Sequence, residues 1–133
     1  MSIKSPVDVA LLFVGRINAG DVEGIVDLMT DDHRFIDSLG IEVVGRDKMR
    51  HGWEEYFRMV PDYHIEVGET LAQGDAVVLL GAAGGTYTRD GTLRAQDVWV
   101  TPAAWRARIK GNRVAEWQIY ADNEPIRQRM SET

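Results

Sequence analysis

The chain has 133 residues, 44% hydrophobic and 27% charged, with a formal net charge of −6. This composition is typical of one globular domain over residues 1–133, and the acidic balance argues against nucleic acid as the main partner. The absence of cysteine excludes disulfides, thiol nucleophiles and thiolate metal sites. No apolar run approaches the ~18 residues of a membrane span. Asp8 and Arg16 also interrupt the apolar amino terminus, so we expect a cytoplasmic protein without membrane contact.

The first half of the chain is predicted to be mainly helical. Apolar residues recur at helical spacing in three segments, residues 6–19, 22–29 and 46–59. Ser5 and Asp21 are suited to capping the first two helices, and Pro61 ends the third. A short strand is predicted at His33–Leu39, and residues 40–45 are predicted to be a loop with extended character near its end.

The second half is predicted to be strand. Strands are expected at residues 63–71, 76–88 and 92–101, followed by a hairpin within residues 103–122. Asp90-Gly91 is typical of a hairpin turn, and Pro102 predicts a bulge. Helices followed by long antiparallel strands indicate an α+β fold, with the helices on one face of a curled sheet.

The last hairpin determines which side chains face the interior. A two-residue turn at Gly111-Asn112 would place Trp117 beside arginines, whereas a three-residue loop keeps both tryptophans on the apolar face. We therefore predict the longer loop. The cross-strand pairs that it implies are Ala107–Trp117, Trp105–Ile119 and Arg108–Glu116.

Residues 17–40, INAGDVEGIVDLMTDDHRFIDSLG, resemble the opening of the ketosteroid isomerases. The order of later elements is similar to the nuclear transport factor 2-like superfamily, which includes SnoaL-like polyketide cyclases and limonene epoxide hydrolases. The resemblance implies a cystatin-like α+β roll, in which a cone-shaped curved antiparallel sheet wraps around three N-terminal helices and encloses an apolar cavity. It also implies a homodimer, which we expect to form through the sheet face bearing Arg106, Arg108, Glu116, Gln118 and Tyr120.

The same resemblance implies a catalytic role for Asp37, which lies where the isomerases keep their proton-transferring carboxylate. The isomerase tyrosine corresponds here to Phe13, and the isomerase aspartic acid to Ala104 or Trp105. Neither position supplies an oxyanion donor, so steroid isomerisation by that mechanism is not expected. The arginine–aspartate arrangement of the epoxide hydrolases is also not evident, because the corresponding strand contains only apolar residues at 77–80.

Several residues have two interpretations. Asp37 is either a base in an apolar cavity or a turn former beside Ser38. Large aromatic residues either line the cavity or fill the core. The candidates for the pocket are Phe13, Trp53, Tyr56, Trp99, Trp105, Trp117 and Ile119, with Tyr56 also a candidate donor. Asp97 and Asp122 are candidates for a second acid, although Asp122 also suits a turn.

No metal or cofactor site is predicted. The three histidines, His33, His51 and His64, lack metal-ligand spacing and are interpreted as surface residues. The sequence therefore predicts a domain that binds a small hydrophobic molecule, with isomerase or cyclase chemistry that uses Asp37 and no cofactor. The alternative is a ligand-binding or dimerisation module of the same fold without catalysis. A third, weaker class is a protein-interaction domain.

Overall fold

The computed structural model describes residues 4–131. Within these residues the helices are α1 (Pro6–Asn18), α2 (Val22–Asp27), α3 (Arg46–Met59) and α4 (Glu124–Ser131), with a short 3₁₀ helix at Ala95–Asp97. The strands are β1 (Met29–Ile36), β2 (Glu42–Val44), β3 (His64–Gln73), β4 (Ala76–Thr86), β5 (Val98–Lys110) and β6 (Arg113–Ala121). None of the helices in this described part is long and apolar enough to cross a membrane.

Local signals set the helix starts as the sequence predicts. The Ser5 hydroxyl accepts a hydrogen bond from the Asp8 amide at 3.1 Å, and the Asp8 carboxylate accepts one from the Ser5 amide. Asp21 caps α2 by accepting from the amide of Gly24 at 3.0 Å. Such caps satisfy amides that have no partner within the helix. Helix α3 has the predicted bounds.

The six strands form one sheet in the order β2-β1-β6-β5-β4-β3. All neighbouring strands are antiparallel except β1 and β6, which run parallel. This confirms the predicted α+β class and adds a parallel pair to it. A register shift in β3 between Val67 and Glu69 lies opposite Gly81.

Strand β1 begins and ends earlier than predicted. It starts at Met29 rather than His33 and ends at Ile36, so Asp37 follows the strand and α2 is shorter than expected. The cause is long-range pairing, since Met29 pairs with Val114 of β6. The acidic residues before His33 are typical of a turn between two elements. Local sequence does not reveal a partner strand about 80 residues away.

The last hairpin has the predicted cross-strand pairs but a different turn. Trp105 pairs with Ile119, Ala107 with Trp117 and Arg108 with Glu116. The turn itself is the two-residue Gly111-Asn112, because Lys110 pairs with Arg113. The register shifts by one residue next to the turn, which places an extra residue in β6. This bulge keeps Trp105 and Trp117 on the same face of the sheet, which is the arrangement that the three-residue loop was predicted to give.

The predicted strand at 92–101 is correct only for residues 98–101, which lie in β5, and the predicted bulge at Pro102 is wrong. Residues after Thr86 form a loop, and β5 runs through Pro102 in unbroken register with β4. Pairing with β6 begins only at Ala103. The missing N–H of the proline therefore falls where β5 has a neighbour on one side only, which is where a sheet tolerates proline.

The main core lies between α1 and the inner face of the sheet. Phe13, Trp105 and Trp117 are almost completely buried there. The rings of Phe13 and Trp117 are 4.9 Å apart, and those of Trp105 and Trp117 are 6.5 Å apart. Such contacts fill this part of the interior with side chains and leave the space beside α3 for a cavity.

Candidate functional site

A cavity of about 360 Å³ lies between α3 and the sheet edge formed by β2, β1 and β6. Its inner part is apolar and its mouth is polar. The lining residues are Phe35, Asp37, Ser38, Val43, Lys48, Met49, His51, Gly52, Trp53, Tyr56, Tyr63, Ile119 and Asn123. A mostly apolar hollow with a few convergent polar groups is the usual form of a small-molecule site.

Helix α3 supplies one wall of the cavity through its amphipathic pattern. Met49 and Trp53 are one turn apart and buried. Lys48, Gly52 and Tyr56 follow at four-residue spacing on the adjacent stripe and also line the cavity. Residues four apart lie on one side of a helix, so one regular helix presents both apolar and polar groups to the same space.

An aromatic cluster forms the inner end of this wall. Trp53 lies 6.3 Å from Tyr56 and 6.4 Å from Tyr63, and the two tyrosine rings meet edge to face at 5.0 Å. Burial raises the pKa of both tyrosine phenols, so they are neutral donors at physiological pH. None of the hydrogen bonds within residues 4–131 uses either phenol.

Asp37 combines both of its predicted environments. Its half-buried side chain lines the cavity, and its Oδ1 accepts hydrogen bonds from the amides of Leu39 at 2.9 Å and Ile41 at 3.0 Å. The carboxylate is therefore a turn former that also faces the apolar space. Next to it, Asn123 donates to the Ser38 hydroxyl and joins this loop to the chain after β6.

The seven predicted pocket residues divide into three groups. Trp53, Tyr56 and Ile119 line the cavity. Trp99 packs 6.3 Å from Tyr63 behind the aromatic wall. The remaining three, Phe13, Trp105 and Trp117, lie in the packed core instead.

The two candidates for a second acid lie outside the cavity. Asp97 is buried in the 3₁₀ helix before β5. Asp122 is exposed, and its Oδ1 accepts from the Glu124 amide at 2.9 Å, which is the alternative turn-forming role. Asp37 is therefore the one carboxylate among the described residues that line the cavity.

The interpretation of the histidines as surface residues is wrong for His33. Its side chain is fully buried, and its Nδ1 lies 2.7 Å from the Val114 carbonyl oxygen. His51 is exposed but lines the mouth of the cavity together with Lys48. Sequence analysis missed Lys48 and His51 as site residues, although their spacing from Trp53 along α3 places them beside the apolar stripe.

A larger depression of about 580 Å³ lies at the start of α3. It is polar, and its arginines already have acidic partners, Arg46 with Asp31 and Arg50 with Glu23 and Asp47. Within residues 4–131 no group of three or more His, Asp or Glu side chains is placed to hold a metal ion. The apolar cavity beside Asp37 is thus the better candidate site.

Comparison with known proteins agrees with this architecture. Residues 11–117 match the SnoaL-like domain. The epoxide hydrolase LasB of Streptomyces lasalocidi is 32% identical over an alignment that includes 76% of this chain, but the chain spans less than half of that protein, 44%.

Two solved structures share the fold at low identity. A Shewanella putrefaciens protein assigned as a SnoaL-like polyketide cyclase superimposes with a TM-score of 0.81, at 15% identity, covering 96% of this chain and 86% of that one. A ketosteroid isomerase-like protein of Catenulispora acidiphila, solved with trimethylamine, gives 0.79 at 16% identity, covering 93% and 92%. The chain belongs to the SnoaL-like family of the nuclear transport factor 2-like superfamily.

Proposed function

We propose that the cavity binds a small, mostly apolar molecule and that Asp37 transfers a proton in an isomerase- or cyclase-type reaction without a cofactor. The observation that carries this proposal is the carboxylate of Asp37 at the wall of a mostly apolar cavity. A positioned carboxylate within reach of a bound molecule can act as a general base. Its side chain is held in place by hydrogen bonds that Oδ1 accepts from two backbone amides.

The neutral phenols of Tyr56 and Tyr63 supply the complementary role. Asp37 removes a proton from a carbon next to a carbonyl, and a phenol donates to the oxygen on which negative charge develops. Tyr56 and Tyr63 do not correspond to the isomerase donors. The positions that do correspond include Phe13 and Trp105, which lie in the core. The proposal therefore concerns the same reaction class with a different donor set.

The similarity to LasB favours epoxide opening as a second candidate reaction. Opening an epoxide needs a donor for the ring oxygen and a base for the proton of the attacking group. A tyrosine phenol and Asp37 provide this pair within the same cavity. Epoxides of apolar molecules therefore belong in the substrate panel beside ketones.

The alternative, a binding module without catalysis, also has support. The hydrogen bonds that Asp37 accepts from two backbone amides are a sufficient structural reason for a carboxylate at this position. The end of the interior that contains Trp105 and Trp117 is filled by side chains. Substitution at Asp37 separates the two functions, because asparagine keeps an Oδ1 acceptor for both amides and loses the base.

The test compares Asp37→Asn, Asp37→Ala and Asp122→Asn on a panel of apolar ketones and epoxides. We expect Asp37→Asn to fold normally and to lose about 10²–10⁴ in turnover. Asp37→Ala should also lose about 1–2 kcal/mol of unfolding free energy, because its two amides lose their acceptor. Asp122→Asn, a matched acid outside the cavity, should turn over normally. Unchanged turnover in Asp37→Asn would contradict proton transfer by Asp37, whereas no turnover by the folded wild type on the whole panel would favour the binding module.

We also propose a homodimer through the outer face of the sheet. On this face Arg106 lies opposite Gln118 and Arg108 opposite Glu116, and Arg106 bonds to both Glu116 and Gln118 at 2.8 Å. Tyr120 and Val100 are exposed by 50% and 62% on the same face. An apolar strip beside ordered charged groups is typical of a surface that a second copy covers.

A further inference from the structure

Two potential donors at the cavity mouth have no partner within the described residues. Neither the side chain of Lys48 nor that of His51 forms a hydrogen bond or ion pair within residues 4–131. The neighbouring arginines of α3 differ, since Arg46 and Arg50 are paired with acidic side chains. The mouth of an acidic protein therefore carries a cationic group that the protein itself does not neutralise.

Two acceptor groups at the same mouth, Asp37 and Ser38, are partly used. Oδ1 of Asp37 accepts from two backbone amides, and the hydroxyl of Ser38 accepts from Asn123. Oδ2 of Asp37 stays available as the base, and Lys48 and His51 are the charged or titratable donors of this mouth whose side chains lack a partner within residues 4–131. A ligand group that accepts hydrogen bonds and carries negative charge complements Lys48 and His51 best.

Gly52 leaves room for such a group. A Cβ atom added at Gly52 would meet nothing within 4 Å, so packing does not require glycine there. Glycine inside a helix costs about 1 kcal/mol relative to alanine. Gly52 lies between Lys48 and Tyr56 on the cavity side of α3, so no side chain stands between these two residues along that stripe of the helix.

We infer that the ligand is an amphipathic acid, with its apolar body against Trp53, Tyr56 and Tyr63 and its anionic group over Gly52 beside Lys48 and His51. This inference rests on the proposed function, because it assigns the ligand class of the same cavity. It adds that Lys48 selects the charge of the ligand and that Gly52 limits its size.

A pair of dyes tests the charge preference on the folded protein. Anilinonaphthalene sulfonate is an amphipathic anion, and N-phenylnaphthylamine has the same ring system without the sulfonate. We expect the anionic dye to bind about fivefold tighter at low salt, since an exposed ion pair contributes little. The net charge of −6 would favour the opposite order. Lys48→Met should abolish the preference, and Lys48→Arg should keep it.

Matched substitutions locate the site. Lys110→Met removes an exposed lysine next to the last turn and should leave the preference unchanged. Gly52→Leu should lower the affinity for both dyes at least tenfold. Gly15→Leu, at a helical glycine with equally open surroundings, should leave both affinities unchanged. Circular dichroism verifies folding, and Gly52→Ala is the milder variant if Gly52→Leu is unstable.

The outcomes separate this inference from the proposed function. Equal affinity for the two dyes in the wild type, or an unchanged preference in Lys48→Met, overturns the acidic ligand and leaves proton transfer by Asp37 intact. Failure of both dyes to bind the folded wild type overturns the inference together with the cavity as a ligand site. Loss of turnover in Asp37→Asn is measured independently of either result.

Discussion

His33 is a fully buried imidazole in the interior of β1. Because Nδ1 lies 2.7 Å from a carbonyl oxygen, it carries the hydrogen and donates to Val114. Nε2 has no partner among the described residues, and Phe13 lies 6.1 Å away. Burial lowers the pKa of His33, although Val114, Asp32 and Glu116 partly oppose this effect. The folded state therefore holds a neutral histidine.

This histidine predicts a loss of stability in mild acid. The unfolded chain binds a proton at His33 near pH 6.5 and the folded chain does not, so unfolding takes up a proton as the pH falls. The free energy of unfolding should drop below about pH 6.5 by at most about 1.4 kcal/mol per pH unit from this residue. Urea unfolding at pH 7 and pH 5.5 measures the drop.

The control for this prediction is His64, which is exposed. His33→Gln should show a shallower pH dependence than the wild type, and His64→Gln should match the wild type. An unchanged slope in His33→Gln would contradict the assignment of the acid sensitivity to His33.

At the level of elements, the close approach of β3 and β4 depends on Gly81. A Cβ atom at Gly81 would lie 1.8 Å from the carbonyl oxygen of Glu66, next to the register shift in β3. Gly81→Ala should therefore lower the free energy of unfolding by about 2–3 kcal/mol. Gly15→Ala should raise it by up to about 1 kcal/mol, because α1 gains helix propensity without a clash. Thermal unfolding measures both variants. A shift of the unfolding midpoint in the same direction for Gly81→Ala and Gly15→Ala would contradict this account.

Sequence patterns predicted the elements whose signals are local. The bounds of α3 and the caps of the first two helices follow from side chains within a few residues. The facing of the last hairpin follows from keeping both tryptophans on one side of the sheet. The start of β1 and the continuity of β5 through Pro102 did not follow, because each depends on a distant partner strand.

The candidate site was predictable only in part for the same reason. The resemblance pointed to Asp37, and α3 spacing pointed to Trp53 and Tyr56. Whether a buried tryptophan fills the core or lines a cavity depends on what packs against it from elsewhere in the chain. Phe13 contacts Trp117 and closes that space, whereas no side chain of residues 4–131 fills the cavity that Trp53 lines.

At the level of the whole molecule, the outer sheet face predicts the assembly state. Light scattering should give twice the chain mass of 14.9 kDa at micromolar concentration. Val100→Glu should give a monomer, because it places a charge at the most exposed large apolar residue of that face. Leu11→Glu, on the exposed side of α1, should remain dimeric. A monomeric wild type, or a dimeric Val100→Glu, would rule out this interface.

The four tryptophans report directly on where a ligand binds. Trp53 lines the cavity, Trp99 lies behind its aromatic wall, and Trp105 and Trp117 lie in the core. Each indole N–H gives one signal in a nitrogen–proton NMR spectrum, assignable by single Trp→Phe variants. On titration with N-phenylnaphthylamine, we predict that the Trp53 signal shifts most and that the signals of Trp105 and Trp117 stay in place. A largest shift at Trp105 or Trp117, or no shift at Trp53 at saturation, would contradict ligand binding in the cavity beside Asp37.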